Sequence, residues 1–89
     1  MDRTQIFAVI RRHLVEIVDG LDGREIVPSK SMRDYGADSL EIVEVVSRSM
    51  KELGIRIQRT DLATAQNLND LITLFEQAST ARESEEVPM

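Results

Sequence analysis

The run Gly36-Ala37-Asp38-Ser39-Leu40 brings a glycine, a carboxylate and a hydroxyl together where an irregular stretch gives way to a helical pattern. A helix start presents unpaired backbone amides and the positive end of the helix dipole, so a phosphate attached to or resting near Ser39 would be well placed there. Gly36 lets the chain turn tightly just before it. A purely structural role is open to the same residues, because Asp38 and Ser39 are both favoured helix caps. Hydrolysis at this serine is excluded by its surroundings: a nucleophile elbow needs a strand before the serine and glycines at alternate positions around it, whereas Leu40 and Glu41 follow here. The one histidine, His13, falls in the middle of a helical pattern and suits packing or the surface better than base catalysis. The chain has no cysteine, which removes thiol nucleophiles and Cys/His zinc sites. It also lacks the glycine-rich run and lysine of a nucleotide-cradling loop. An independent enzyme is therefore not expected.

The elements that must position this run follow from apolar spacing. Ile6, Val9, Ile10, Leu14, Ile17 and Val18 recur at steps of three and four, which predicts a helix over residues 3–18. Asp2 or Thr4 can cap its start, Gln5 has capping-box spacing from Asp2, and Asp19-Gly20 closes it. Residues 19–37 show no sustained period, a length of loop uncommon without a purpose. Leu21, Ile26, Val27, Met32 and Tyr35 are expected to pin that loop across the helices. Asp38 and Glu41 have capping-box spacing, and Leu40, Val43, Val46, Met50 and Leu53 predict a second helix that ends at Gly54. Ile55 and Ile57 alternate with polar residues and read as an extended connector feeding the core. A very short helix capped by Thr60 or Asp61 and passing through Leu62 and Ala65 comes next. Asn67 with Asp70 then caps a last helix carrying Leu68, Leu71, Ile72, Leu74 and Phe75. The fold class expected is all-α, three main helices plus one short one in a small bundle with a long first loop. Residues 1–78 form the domain, and residues 79–89 read as a disordered acidic tail by composition.

Composition agrees with one small domain. Eighty-nine residues allow one modest core. Sixteen acidic against eleven basic residues leave a net charge of −5, which repels nucleic-acid phosphates and anionic lipids. Neither a nucleic acid nor a membrane surface is expected as a partner. Only five consecutive apolar residues, 6–10, follow Asp2 and Arg3, too few for a secretory signal, and no stretch is long enough to span a membrane. A soluble, cytoplasmic protein is the expectation.

Gly36-Ala37-Asp38-Ser39-Leu40, followed by Glu41 and Glu44 with Val43 and Val46 on the same helix, closely resembles the acyl carrier protein family. The resemblance covers residues 3–78, from the first helix through the long loop and the Ile55-Arg56-Ile57 link to the helix opening at Asn67-Leu68. It implies that a phosphopantetheinyl transferase moves 4'-phosphopantetheine from coenzyme A onto Ser39. The thiol of that arm would carry acyl groups as thioesters, so the thiol missing from the chain would be imported. The resemblance further implies that Asp38, Glu41 and Glu44 meet basic patches on partner enzymes and that Leu40 stays exposed as an apolar contact. Val43, Val46, Leu53, Ile57, Leu62 and Leu68 are candidates to line an interior that admits an acyl chain. The partners implied are an acyltransferase or acyl-activating enzyme and a ketosynthase or other acyl-modifying enzymes, visited by a monomeric carrier.

Several departures point away from general fatty-acid service and toward a polyketide or related specialised pathway. Arg48 and Lys51, with Arg56 and Arg59 beyond, interrupt an edge that is acidic in many fatty-acid carriers. Tyr35 stands where leucine is usual in the family, and Gln58 where proline is common. The same basic residues keep a peptidyl or aminoacyl carrier, including a D-alanyl carrier, as the alternative within this fold. From a different class comes a helical interaction module that is never modified.

Overall fold

The computed structural model describes residues 2–85. Helix α1 spans Arg3–Ile17, α2 Ser39–Leu53, α3 Arg59–Leu62 and α4 Leu68–Glu85, and among the described residues there is no strand. The fold is all-α, with three main helices and one short one. No described helix is long and apolar enough to cross a membrane.

Each main helix contributes one buried stripe. Ile6, Ile10 and Leu14 of α1 have no exposed surface, and their four-residue spacing keeps them on one face. Asp2 caps this helix, accepting a hydrogen bond from the Gln5 N–H at 2.8 Å. Helix α1 stops one residue before the predicted end, and Val18 serves as an extended cap whose side chain still enters the core. From α4 come Leu68, Leu71, Ile72 and Phe75, and the Asn67 side chain accepts from the Asp70 N–H at 2.9 Å. The buried face of α2 is rotated from the predicted one: Val45, Val46 and Ser49 are buried, whereas Leu40 is 77% exposed and Val43 57%. Ser49 is tolerated inside because its hydroxyl donates to the Val45 carbonyl at 2.8 Å.

The long first loop is tied down by two short 3-10 turns, Gly23–Glu25 and Arg33–Tyr35. Ile26 and Met32 enter the core as expected, but Val27 remains exposed. The Tyr35 hydroxyl accepts from the Val27 N–H at 2.7 Å and donates to the Glu25 carbonyl at 3.2 Å, which fixes the middle of the loop. The Pro28 and Lys30 carbonyls accept from the N–H groups of Asn69 and Leu68, so the loop also satisfies donors at the start of α4.

Gly54, at φ 68°, ends α2 in the left-handed conformation, and Ile55 and Ile57 are both buried in the connector. Helix α3 begins earlier than predicted. Neither Thr60 nor Asp61 caps it; the Gln58 carbonyl instead accepts from Asp61 and Leu62, and no side chain takes the cap. The last helix continues past residue 78 to Glu85, since Leu68–Glu85 contains neither glycine nor proline and its Ala, Arg and Glu are good helix formers. The polar composition from Ser79 onward therefore does not end the helix. Residues 86–89, including Val87 and Pro88, lie outside the described residues.

Helices α1 and α2 are clamped at one edge by Glu52, which pairs with Arg12 and meets His13 Nε2 at 2.9 Å. His13 thus serves a contact between helices. The Arg12 hydrogen bond, and after it that of His13, holds the Glu52 carboxyl below its ordinary value of 4.5. A lowered folded-state value means the contribution to stability is present above the unfolded value and is lost as pH falls through the folded one. Glu52→Gln should accordingly be less stable than the wild type at neutral pH in urea denaturation. The gap should narrow as the pH drops below 4.5, and a gap independent of pH would rule out this clamp.

Candidate functional site

The chain reaches the site through a tight sequence of turns. Gly36, at φ 90°, follows the Arg33–Tyr35 turn and donates its N–H to the Arg33 carbonyl at 3.0 Å. A Cβ on Gly36 would meet nothing within 4 Å, so glycine is needed there for its backbone conformation and not for space. Ala37 is buried and anchors the next step, after which Asp38 adopts an extended conformation ahead of α2.

Asp38 and Glu41 then form a reciprocal capping box. Asp38 Oδ1 accepts from the Glu41 N–H at 2.8 Å, and Glu41 Oε1 accepts from the Asp38 N–H at 3.0 Å. This makes Ser39 the first residue of α2, with its side chain exposed. Leu40, Glu41 and Glu44 stand on the next turns, so all five residues singled out from the sequence gather at one end of one helix. Their charges are not equally free. Asp38 and Glu41 cap the helix, while Glu44 Oε1 pairs with Arg48 at 2.6 Å across one turn.

Of two further features, the first was not legible beforehand and the second only in part. Arg33 Nη2 donates to Ser39 Oγ at 2.8 Å, a contact that exists only because the intervening turns fold the chain back. The hydroxyl's partner is therefore a cation and not a base. The second feature is an open groove of about 790 Å³. Ser39 contributes to its wall, together with Val43, Val46, Ile57, Leu62 and Leu68, five of the six residues proposed from the sequence. Leu53 is not among them, whereas Met32, Ile42, Met50 and Leu71 are. Ile42 and Met50 lie four residues either side of Val46, a helical spacing that could have identified them.

The arrangement suits covalent loading. An exposed hydroxyl can be esterified without displacing any core group, and the adjoining groove can shelter an apolar chain. Among the described residues, no group of three or more His, Cys, Asp or Glu side chains is placed to hold a metal ion.

Residues 8–75 match the family model for the phosphopantetheine attachment site. The chain is 28% identical to the polyketide biosynthesis acyl carrier protein AcpK of Bacillus subtilis, over 91% of this chain and all of that one. It is 33% identical to an acyl carrier protein of Saccharopolyspora erythraea, over 83% of this chain and 78% of that one. Among solved structures, it is similar to a chain in the crystal structure of the curacin biosynthetic pathway HMG synthase in complex with acetyl donor-ACP. That match has a TM-score of 0.76 and 30% identity, and covers 89% of this chain and 99% of the other.

Because Gly36 is held left-handed in open space, Gly36→Ala should cost about 1–2 kcal/mol from backbone strain alone. Urea denaturation measures this, and an unchanged midpoint would show that the turn relaxes without glycine.

Proposed function

The chain belongs to the acyl carrier protein family, the phosphopantetheine-attachment family, and from that premise we propose that Ser39 is the residue that bears the arm. The protein is a carrier that holds acyl intermediates as thioesters on 4'-phosphopantetheine. The observation that carries the assignment to Ser39 is its placement: an exposed hydroxyl locked at the first position of α2 by the capping box, beside an open apolar groove.

In the reaction that installs the arm, Ser39 Oγ attacks the pantetheine-bearing phosphorus of coenzyme A. The Oγ–P bond forms, the pyrophosphate P–O bond breaks, and adenosine bisphosphate leaves. The serine proton passes to a base on the phosphopantetheinyl transferase. The arm supplies the thiol that the chain, without cysteine, does not have. The chain's own part is to present the hydroxyl at a fixed helix start and to offer the groove to the cargo. It acts as a substrate for other enzymes and not as a catalyst, and its place is the cytoplasm.

Leu40 and the exposed part of Val43 offer an apolar contact to partners, flanked by Asp38, Glu41 and Glu44. We assign these to docking with the transferase and with acyltransferases, ketosynthases or other acyl-modifying enzymes. A specialised polyketide-type pathway is supported by the relative named for polyketide biosynthesis and by the likeness to an acetyl donor carrier seen with a biosynthetic enzyme. A second reading, an aminoacyl or peptidyl cargo, draws on the Glu44–Arg48 pair, which reduces the acidity of the docking face. Loading assays with malonyl and aminoacyl donors separate the two.

Incubation with coenzyme A and a broad-specificity transferase should raise the intact mass by one arm, and Ser39→Ala should abolish the gain without lowering thermal stability. No gain with several transferases would instead favour an unmodified interaction module. Glu41→Gln with Glu44→Gln keeps an oxygen for the capping box but removes two charges. We expect this pair to lower kcat/KM for modification by about 5–30-fold, equivalent to 1–2 kcal/mol, mainly through association. Neutralising Glu83, Glu85 and Glu86 should have far less effect, and equal effects would refute a local docking face.

A further inference from the structure

The Arg33–Ser39 contact joins two exposed side chains six residues apart. Arg33 is exposed, lies in the loop before α2, and among the described residues forms no ion pair. Carboxylates surround it in sequence, yet each is already engaged: Asp34 accepts from the Ser31 N–H at 2.9 Å, Asp38 and Glu41 close the capping box, and Glu44 pairs with Arg48. A full positive charge is thus left against a neutral hydroxyl. Resting on the Ser39 attachment reading, we propose that Arg33 is the internal counter-ion of the phosphodiester formed there, holding the root of the arm against the start of α2.

Esterification makes Oγ a weaker acceptor, while the new phosphorus carries two non-bridging oxygens that share one negative charge, each separated from Oγ by that one atom. A guanidinium already in contact with Oγ needs only a side-chain adjustment to reach them, and an arginine–phosphate bond is stronger than one to a hydroxyl. The first backbone amides of α2 add to the same field but do not single out the residue. Arg33 also lines the groove, so the contact orients the arm's first segment relative to the space that its cargo could enter. Arg33 is a positioning residue: it fixes the direction in which the arm leaves the protein.

The test converts the full-length protein to its phosphopantetheinylated form, checks intact mass, and records phosphorus NMR spectra of wild type, Arg33→Gln and Arg33→Lys. At low salt the wild-type phosphorus resonance should be displaced from that of Arg33→Gln, and Arg33→Lys should restore part of the displacement. Raising salt from about 0.01 to 1 M shortens the Debye length from ~30 to ~3 Å and should move the wild-type resonance toward the glutamine position. The Arg33 Nε–H signal should also shift between apo and modified protein. Superimposable wild-type and glutamine resonances, or a lysine variant that behaves as glutamine, would overturn the proposal while leaving attachment intact. Absence of any mass gain would overturn both together.

Discussion

Asp38 and Glu41 each satisfy the other's backbone N–H, and this reciprocal pair decides where α2 begins. The cap is worth on the order of 1 kcal/mol, small beside the core, and it marks Ser39 as the first residue of the helix, beside Arg33 and the groove. Gly36 and Ala37 work upstream of it: one reverses the chain, and the other buries its methyl group so that Asp38 arrives in position.

Charge at the site is used twice. The same carboxylates that complement the positive end of α2 are exposed or half-exposed, so under the proposed docking role local stability and recognition would draw on one set of groups. Arg48 divides the helix: Asp38, Glu41 and Glu44 lie on the Ser39 side, and Arg48, Lys51 and Glu52 follow. Surface ion pairs such as Glu44–Arg48 contribute little to stability, and their main effect is on the field that a partner meets. Glu52, at the opposite end of α2, has a different task and ties that helix to α1.

The core beside the groove is built largely from medium-sized side chains. Phe75 is the one phenylalanine fully buried, while Phe7 sits partly exposed with the Arg11 guanidinium 5.3 Å from its ring centre. Val46, Ile57 and Leu68 belong to both the packed interior and the groove wall. Volume-conserving shifts among such residues cost little, which would suit a wall that admits an acyl chain under the proposed function. Met50, flexible and lining the groove, adds to that adaptability.

Local chemistry written into the chain narrowed the first helix start to Asp2 or Thr4 and the second to Asp38 or Ser39, and it located the Asn67 cap, the glycine stop at Gly54 and a connector that brings isoleucine into the core. Each depends on neighbours within a turn or two, so spacing alone reports it. The start of α3 was misjudged because backbone carbonyls, which carry no residue signature, replaced a side-chain cap. The length of α4 was misjudged because a polar composition resembles disorder, although the same residues propagate a helix once its start is anchored. The rotated face of α2, the full lining of the groove and the Arg33–Ser39 contact emerged only in three dimensions. They depend on where separate elements cross, and a helical pattern fixes which residues share a face but not which face its neighbours cover.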